Sequence, residues 1–305
     1  MEIPEKYSII QIANDALDDL EQIGTKTKYW YEDEKKLFKK GRSGTGENWS
    51  EKVASELANL LQLPHVHYDF ACCKNELGVV SNNFVPKKGR LVHGNELLAQ
   101  IDKTYPVSQC HKEPYTISTV ISAIQQESAK VPLSSPPLKD IDSAVDVFVG
   151  YLLLDAWIGN QDRHDQNWGL IYIEENSEVY LTPTFDHASS LGRNENDQRR
   201  KQLLESTDNK RNIENYVKRA RSPFYNCNKP PKRLKTIDAF IKAATLRPKA
   251  GMIWLNQLDQ TQDIDLTNIM HRIPNELISK ESIDFAVKML NLNKKRLLKQ
   301  RGILQ

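Results

Sequence analysis

The sequence has only four cysteines in 305 residues, Cys72, Cys73, Cys110 and Cys227, and no Cys-x-x-Cys spacing. A zinc ribbon or a disulfide framework is therefore not expected, and a reducing interior suits the chain. No apolar run approaches the roughly 20 residues that a membrane-spanning helix needs. The first residues, MEIPEKYSII, lack the basic stretch and apolar core of a secretory signal, so the expectation is a soluble, cytoplasmic protein. Charge of one sign is not in excess either. Forty-two Lys and Arg against 40 Asp and Glu give a formal net charge of +2, too small to argue for nucleic-acid or membrane binding across the whole surface. Walker A and Gly-x-Gly-x-x-Gly patterns are absent, as are internal repeats and long low-complexity tracts. What remains is a chain long enough for one large domain or two lobes, each with its own core.

The pattern changes character along the chain. Lys28–Tyr31 (KYWY) and Leu37–Lys39 (LFK) read as a hairpin around the polar turn EDEKK. After the loop GRSGTGEN, Trp49, Val53, Leu57, Leu60 and Leu61 recur at the spacing of one buried helical face, which predicts a helix over Asn48–Leu61. Asn48 and Glu51 stand at capping-box distance. Strands are expected at 66–72 and 79–85, with PKKGR as a connector. Beyond it the sequence turns mostly helical. The strongest helix runs from Ile141 to Ile158, with Val145, Phe148, Val149, Leu152, Leu153, Ala156 and Trp157 at helical spacing and Gly159-Asn160 as its stop. Leu170–Ile173 and Val179–Phe185 form a second predicted hairpin. Residues 192–234 are highly charged and read as a mobile loop or a pair of solvated helices, and Ala286–Leu298 as an amphipathic helix.

Between the strongest helix and the second hairpin lies IGNQDRHDQNWGLIY, residues 158–172, dense in polar groups where the chain passes between buried elements. A hairpin returns the chain to the place it left, so Asn167 before it and Asp186 after it can converge on one cation. Amide and carboxylate oxygens are hard ligands of the kind Mg²⁺ takes together with phosphate oxygens. Asp162, five residues before Asn167, can orient an attacking hydroxyl or accept its proton. That division of labour is what phosphoryl transfer requires. Lys39, at the end of a strand, can meet phosphates, with Glu51 or Glu56 on the next helix to hold it. Gly24, Thr25, Lys26, Thr27 and Lys28 offer a flexible turn with backbone N–H groups and two cations for phosphate. Arg163 reads as a structural partner of a carboxylate, and Trp157 and Trp168 as core anchors. Ser189, Ser190 and Ser222 read as ordinary surface serines.

These motifs resemble the catalytic core of HipA-like serine/threonine kinases, and more distantly the phosphatidylinositol kinases. Short bacterial HipA-domain kinases show Gly-Asn-x-Asp-Arg-His-x-x-Asn-Trp-Gly and then Pro-x-Phe-Asp; here the residues are GNQDRHDQNWG and PTFD. LFKK and ENWSEKVASELANLLQLP resemble the strand lysine and following helix of those kinases. The resemblance spans residues 24–192. It implies an α+β, two-lobed protein-kinase-like fold, with a small strand-rich, ATP-binding N-lobe holding one helix (1–88) and a mostly helical C-lobe carrying the catalytic loop and substrate site (89–305). It further implies Asp162 as the catalytic aspartate with His164 as a structural or supporting member of the loop, Asn167 and Asp186 as Mg²⁺ ligands, Lys39 on the ATP phosphates, and Glu51 as its partner, with Glu56 in reserve. The substrate implied is a protein, with translation proteins among the candidates, and an antitoxin-like regulator is the implied partner. Full-length HipA proteins have an additional N-terminal subdomain and a serine-rich phosphate loop, whereas this sequence starts close to Gly24–Lys28, and Thr25 and Thr27 are its candidates for autophosphorylation.

Three other readings fit parts of the pattern: a lipid or small-molecule kinase of the same fold, a non-catalytic module that has kept the fold, and a metal phosphohydrolase using His164-Asp165. The last needs further histidines presented from helices, and His65 and His67 fall in a predicted strand.

Overall fold

The computed structural model describes residues 4–13, 17–20, 27–106, 114–133, 138–226 and 231–304. In its N-terminal part, β1 (Ile9–Ile12), β2 (Leu17–Leu20), β3 (Lys28–Tyr31) and β4 (Lys36–Lys40) precede α1 (Glu47–Leu60), which leads to β5 (Asp69–Cys73) and β6 (Glu76–Asn82). The strands form one sheet in the order β1-β5-β6-β4-β3-β2. Its ladders are antiparallel except for the β1–β5 pair, which is parallel. Lys74 and Asn75, at φ 50° and 60°, make the tight β5–β6 turn, the left-handed pair whose twist matches that of the flanking strands. The apolar stripe of α1, including Val53, Ala54 and Leu57, is fully buried, and the helix lies against β5 and β6.

The C-terminal part begins with β7 (Gly89–His93), α2 (Gly94–Ile101), α3 (Ile117–Gln126) and α4 (Ala144–Ile158), followed by the hairpin β8 (Gly169–Ile173) and β9 (Glu178–Leu181). Then come α5 (Asp197–Glu205), α6 (Ile213–Val217), β10 (Arg221–Tyr225), β11 (Arg233–Lys235), α7 (Thr236–Leu246), α8 (Pro248–Gln260), α9 (Asp263–His271), α10 (Lys280–Leu298) and α11 (Arg301–Leu304). Every residue of α4 is buried, and α3, α7, α8 and α10 pack around it. Ser143 caps its start by accepting from the Asp146 N–H. Gly159 at φ 65° ends it in the left-handed conformation that favours glycine. One hydrophobic cluster runs from Trp49 and Leu57 in α1 through α4 to Trp254 and Leu297, so the two parts share a core. Trp157 and Trp168 are both buried in it.

The fold is thus α+β, with a strand-rich N-terminal sheet and a helical C-terminal part. Several local expectations differ from it. The first helix starts at Glu47 after Gly46, with no side-chain cap, because Glu51 turns inward to a buried cation instead of back to the backbone N–H at Asn48. Strand β5 starts at Asp69 and β6 ends at Asn82, where the Asn83 side chain accepts the Val85 N–H and turns the chain. Gly89 and Arg90, expected in a connector, begin β7, which pairs with β8 to make a three-stranded sheet with β9. The charged stretch 192–234 holds two short helices and the β10–β11 hairpin.

Gly150 lies where α4 meets Leu63 and Trp254; a Cβ there would stand 2.5 Å from Trp254 and 2.6 Å from Leu63. Gly150→Val is expected to destabilise the fold by about 1–3 kcal/mol through overpacking, read as a lower urea midpoint with the slope unchanged.

Candidate active site

The polar loop after α4 is organised by a buried ion pair. Arg163 is 1% exposed. Its Nε and Nη2 donate to the two carboxylate oxygens of Asp155 on α4, both at 2.8 Å. The same guanidinium donates to the Asn167 carbonyl at 2.7 Å and to Thr184 Oγ1 at 2.9 Å. One side chain therefore ties the last turn of α4, the far end of the loop and the segment leading to Asp186. Burial opposes its charge, but Asp155 outweighs that and holds the guanidinium pKa above its ordinary value. Asn160 donates to Asp155 at 2.8 Å and accepts the Asp162 N–H at 3.1 Å. Tyr115 Oη donates to the Arg163 carbonyl and accepts from the Trp168 indole, while Tyr105 Oη donates to Asp165 at 2.7 Å. His164-Asp165 is thus split: Asp165 is committed to Tyr105 and buried, and no three His, Cys, Asp or Glu side chains gather as a metal centre among the described residues. The phosphohydrolase reading finds no support in this arrangement.

Asp162 is held by its backbone but keeps its side chain 47% exposed. Its carbonyl accepts from Asn167 Nδ2 at 2.6 Å, which leaves Asn167 Oδ1 as the oxygen available to a cation. His164 Nδ1 accepts the Gln166 N–H at 3.1 Å, so Nε2 carries the proton and faces Asp162 Oδ1 at 3.7 Å. His164 thus stands beside Asp162, beyond hydrogen-bond distance of its carboxylate. Ser189 Oγ donates to Asp162 Oδ2 at 3.2 Å, and Ser190 and Ser222 are buried; none of the three is an ordinary surface serine.

Across from the loop, β4 delivers Lys39, 5% exposed. Its ammonium stands 3.4 Å from Asp186 Oδ1, 3.6 Å from Glu51 Oε2 and 3.2 Å from Tyr68 Oη. Burial alone would lower the lysine pKa; Asp186, Tyr68 and Glu51 outweigh it and raise it well above the ordinary value. Burial would likewise raise Glu51, but Lys39 and His187 hold its carboxyl below the usual range. Glu56 pairs with Lys52 at 2.7 Å, so Glu51 is the helix partner of Lys39. Asp186 sits at φ 57°, a left-handed conformation that costs a non-glycine residue free energy and persists only where the surroundings enforce it. The enforcing contacts lie on both sides: the His187 N–H donates to Glu51 at 2.6 Å, the Val66 N–H to the Thr184 carbonyl at 2.9 Å, and the Thr184 N–H to the Pro64 carbonyl at 3.0 Å.

Lys39, Asp162, His164, Asn167 and Asp186 line one cavity of about 470 Å³, within the range of small-molecule sites. At its apolar end Phe84 stacks on Phe185 with ring centroids 5.5 Å apart, beside Leu37, Val85 and Leu91. Lys28 also reaches the cavity; Thr27 precedes β3 and is not among the described residues that line it, while Gly24, Thr25 and Lys26 lie outside the described residues. The donor set fits a hard cation that takes the rest of its ligands from phosphate and water. Sequence reasoning missed Asp155, Tyr68 and His187. Asp155 did leave a signal, a carboxylate inside the otherwise apolar run Val147–Ile158; Tyr68 and His187 left none that spacing reveals.

A strand-rich sheet with one helix, a helical part, and a polar cavity between a strand lysine and a loop aspartate make up an α+β, kinase-like fold. In three dimensions the chain is similar to the Helicobacter pylori proinflammatory kinase CtkA, at a TM-score of 0.71 and 18% identity over 96% of this chain and 98% of that one. It is similar also to a chain of the Shewanella oneidensis MR-1 toxin–antitoxin complex of HipA, HipB and operator DNA, at a TM-score of 0.53 and 13% identity over 95% of this chain and 68% of that one. No family model and no curated protein matches the sequence.

Arg163→Met leaves Asp155 charged and buried without its partner, and the expected loss of stability is about 3–5 kcal/mol. Arg163→Met with Asp155→Leu removes both charges and should recover part of that loss, as compared by urea unfolding of the two variants.

Proposed function

We propose that the protein is an ATP- and Mg²⁺-dependent protein serine/threonine kinase. The observation that carries this reading is that Lys39, with Glu51 behind it, faces Asp162, Asn167 and Asp186 across a single cavity. The chain's fold similarity to kinases supports it. On this reading residues 1–88 bind ATP and residues 89–305 supply the catalytic loop and substrate site. The adenine lies among Phe84, Phe185 and Leu91, and the ammonium of Lys39 meets the phosphates. Asn167 Oδ1 and the Asp186 carboxylate would hold Mg²⁺, which when bound offsets phosphate charge. The substrate hydroxyl lies at Asp162, whose carboxylate accepts its proton as the oxygen forms a bond to the γ-phosphorus. The bond from that phosphorus to the β-phosphate oxygen breaks, ADP leaves, and the proton passes on to solvent. His164 keeps Asp162 oriented. Lys39 is held by two carboxylates before any nucleotide arrives, the preorganisation that electrostatic stabilisation needs.

The test is transfer of label from γ-labelled ATP with Mg²⁺ to Ser or Thr of the chain itself or of an added lysate. Asp162→Ala and Asp186→Ala are each expected to lower transfer by about a hundredfold or more. ATP binding without protein labelling would favour a lipid or small-molecule kinase or a non-catalytic module, and absence of ATP binding would sink the assignment of the cavity.

The likeness to a chain of a toxin–antitoxin complex supports a second expectation, that the kinase arrests growth and is met by an antitoxin-like regulator. Expression of the wild-type chain should then slow its host while Asp162→Ala does not; equal growth with both speaks against a toxin.

A further inference from the structure

A second cavity, of about 560 Å³, opens on the other side of Asp162. It shares Asp162, Ser189 and Arg193 with the first cavity and is otherwise built by different elements. Gly159, Gln161 and Met289 contribute to its lining together with the segment after Ser190, α5, α6 and β11. Gln161 fixes one rim, since its side chain accepts the Arg221 N–H at 3.2 Å at the start of β10.

The charge of this cavity is lopsided. Arg193, Arg199, Arg219 and Arg233 line it, against Asp162 and Glu195. Arg193 is ion-paired with Glu47, and Glu195 is engaged by the Tyr216 hydroxyl. The other three arginines have no carboxylate within ion-pair distance among the described residues. Arg219 is held by neutral groups, the Asn215 side chain and the Lys210 carbonyl. Arg233 is held by the carbonyls of Ser222 and Arg221. The half-buried Arg199 guanidinium makes no hydrogen bond or ion pair among the described residues. The basic surface continues into an adjoining cavity of about 490 Å³ lined by Arg199, Lys210, Arg219 and Arg211, of which Arg211 is paired with Asp208 at 3.7 Å. A chain with a net charge of +2 has thus gathered uncompensated cations beside its candidate catalytic carboxylate.

Resting on the kinase reading above, we propose that this groove is the protein-substrate site and selects a peptide segment carrying anionic side chains next to the hydroxyl that is phosphorylated. Guanidinium groups held by neutral partners keep their positive field and their outward donors for an incoming carboxylate or phosphate, which they can grip bidentately. The shared Asp162 then meets the peptide from the groove and the nucleotide from the first cavity. The anion can be an Asp or Glu side chain or a previously phosphorylated Ser, which present the same chemistry to arginine.

The experiment uses short fluorescein-labelled peptides with one central Ser flanked by Asp and Glu, by Asn and Gln, by Lys, or by phosphoserine. Each is measured for binding by anisotropy and for labelling from γ-labelled ATP, on the wild-type chain and on Arg199→Gln/Arg219→Gln. The acidic or phosphoserine peptide should bind the wild type most tightly and lose about tenfold in affinity in the double variant. In labelling, its KM should rise with kcat held, while the neutral peptide and the KM for ATP do not change. The difference between the acidic and phosphoserine arms tells which anion is preferred. Equal binding of acidic, neutral and basic peptides, or acidic binding untouched by the double substitution, overturns the groove assignment. An RNA oligonucleotide that binds more tightly than every peptide and is lost in the same variant overturns it in favour of nucleic acid. Should the acidic peptide bind through these arginines while no label moves to any peptide, the groove stands only as an anionic-peptide binding surface and the kinase reading, with the substrate role, falls; labelling of all peptides at one rate keeps the kinase reading and overturns the groove.

Discussion

The Asp155–Arg163 pair is the constraint on which the rest of the site depends. Taking two charges out of water is costly, and a buried pair is retained where it fixes one arrangement among many. Here the guanidinium bonds Asp155, Asn167 and Thr184 at once, so α4, the loop and the approach to Asp186 cannot move independently. The surrounding core makes that fixation possible. A fully buried helix that carries Trp157 and has Trp168 and Trp254 beside it excludes water, which strengthens the pair and raises the cost of breaking it.

The second buried cation, Lys39, joins the two parts of the molecule. Its partners come from α1, from the residue before β5, and from the segment after β9. Glu51 pairs with Lys39 and accepts the His187 N–H, while Arg163 donates to Thr184, so the left-handed backbone at Asp186 is flanked by bonds from the N-terminal part and from the C-terminal part. The N-terminal part, through α1 and the segment before β5, is therefore not merely a cover for the cavity. It sets the conformation of a residue that the C-terminal part presents.

Much of this was legible in the sequence because the strongest signals were local. The periodicity of α1 and α4, the stop at Gly159 and the two hairpins follow from side-chain spacing, and Asp162, Asn167 and Asp186 could be brought together on the strength of one hairpin. What was not legible depends on distant partners. Glu51 and Asn48 read as a capping box because that competition is local, and only the placement of Lys39 on β4 shows where Glu51 turns. The start of strand β7, Gly89 and Arg90, reads as connector because its pairing with β8 joins residues about 80 positions apart, and such pairing leaves little trace in the strand itself. The charge of 192–234 read as solvated surface; its arginines are instead gathered by α5, α6 and the β10–β11 hairpin, a tertiary fact.

Rigidity and exposure are divided at Asp162 in a way that follows from the same bonds. Its N–H and carbonyl are spent on Asn160 and Asn167, groups themselves anchored through Asp155 and Arg163, so the backbone cannot drift. Its carboxylate is the part left toward solvent, touched by Ser189 and faced by His164. On the kinase reading Asp162 needs both properties, because a mobile carboxylate would lose alignment and a buried one would lose access. The two cavities that meet at Asp162 differ accordingly. One is closed at its end by stacked Phe84 and Phe185 and holds a compensated lysine, suited to a ligand that brings both an apolar ring and charge. The other is lined by Arg199, Arg219 and Arg233, which have no carboxylate within ion-pair distance among the described residues, and its lining offers charge rather than stacked rings.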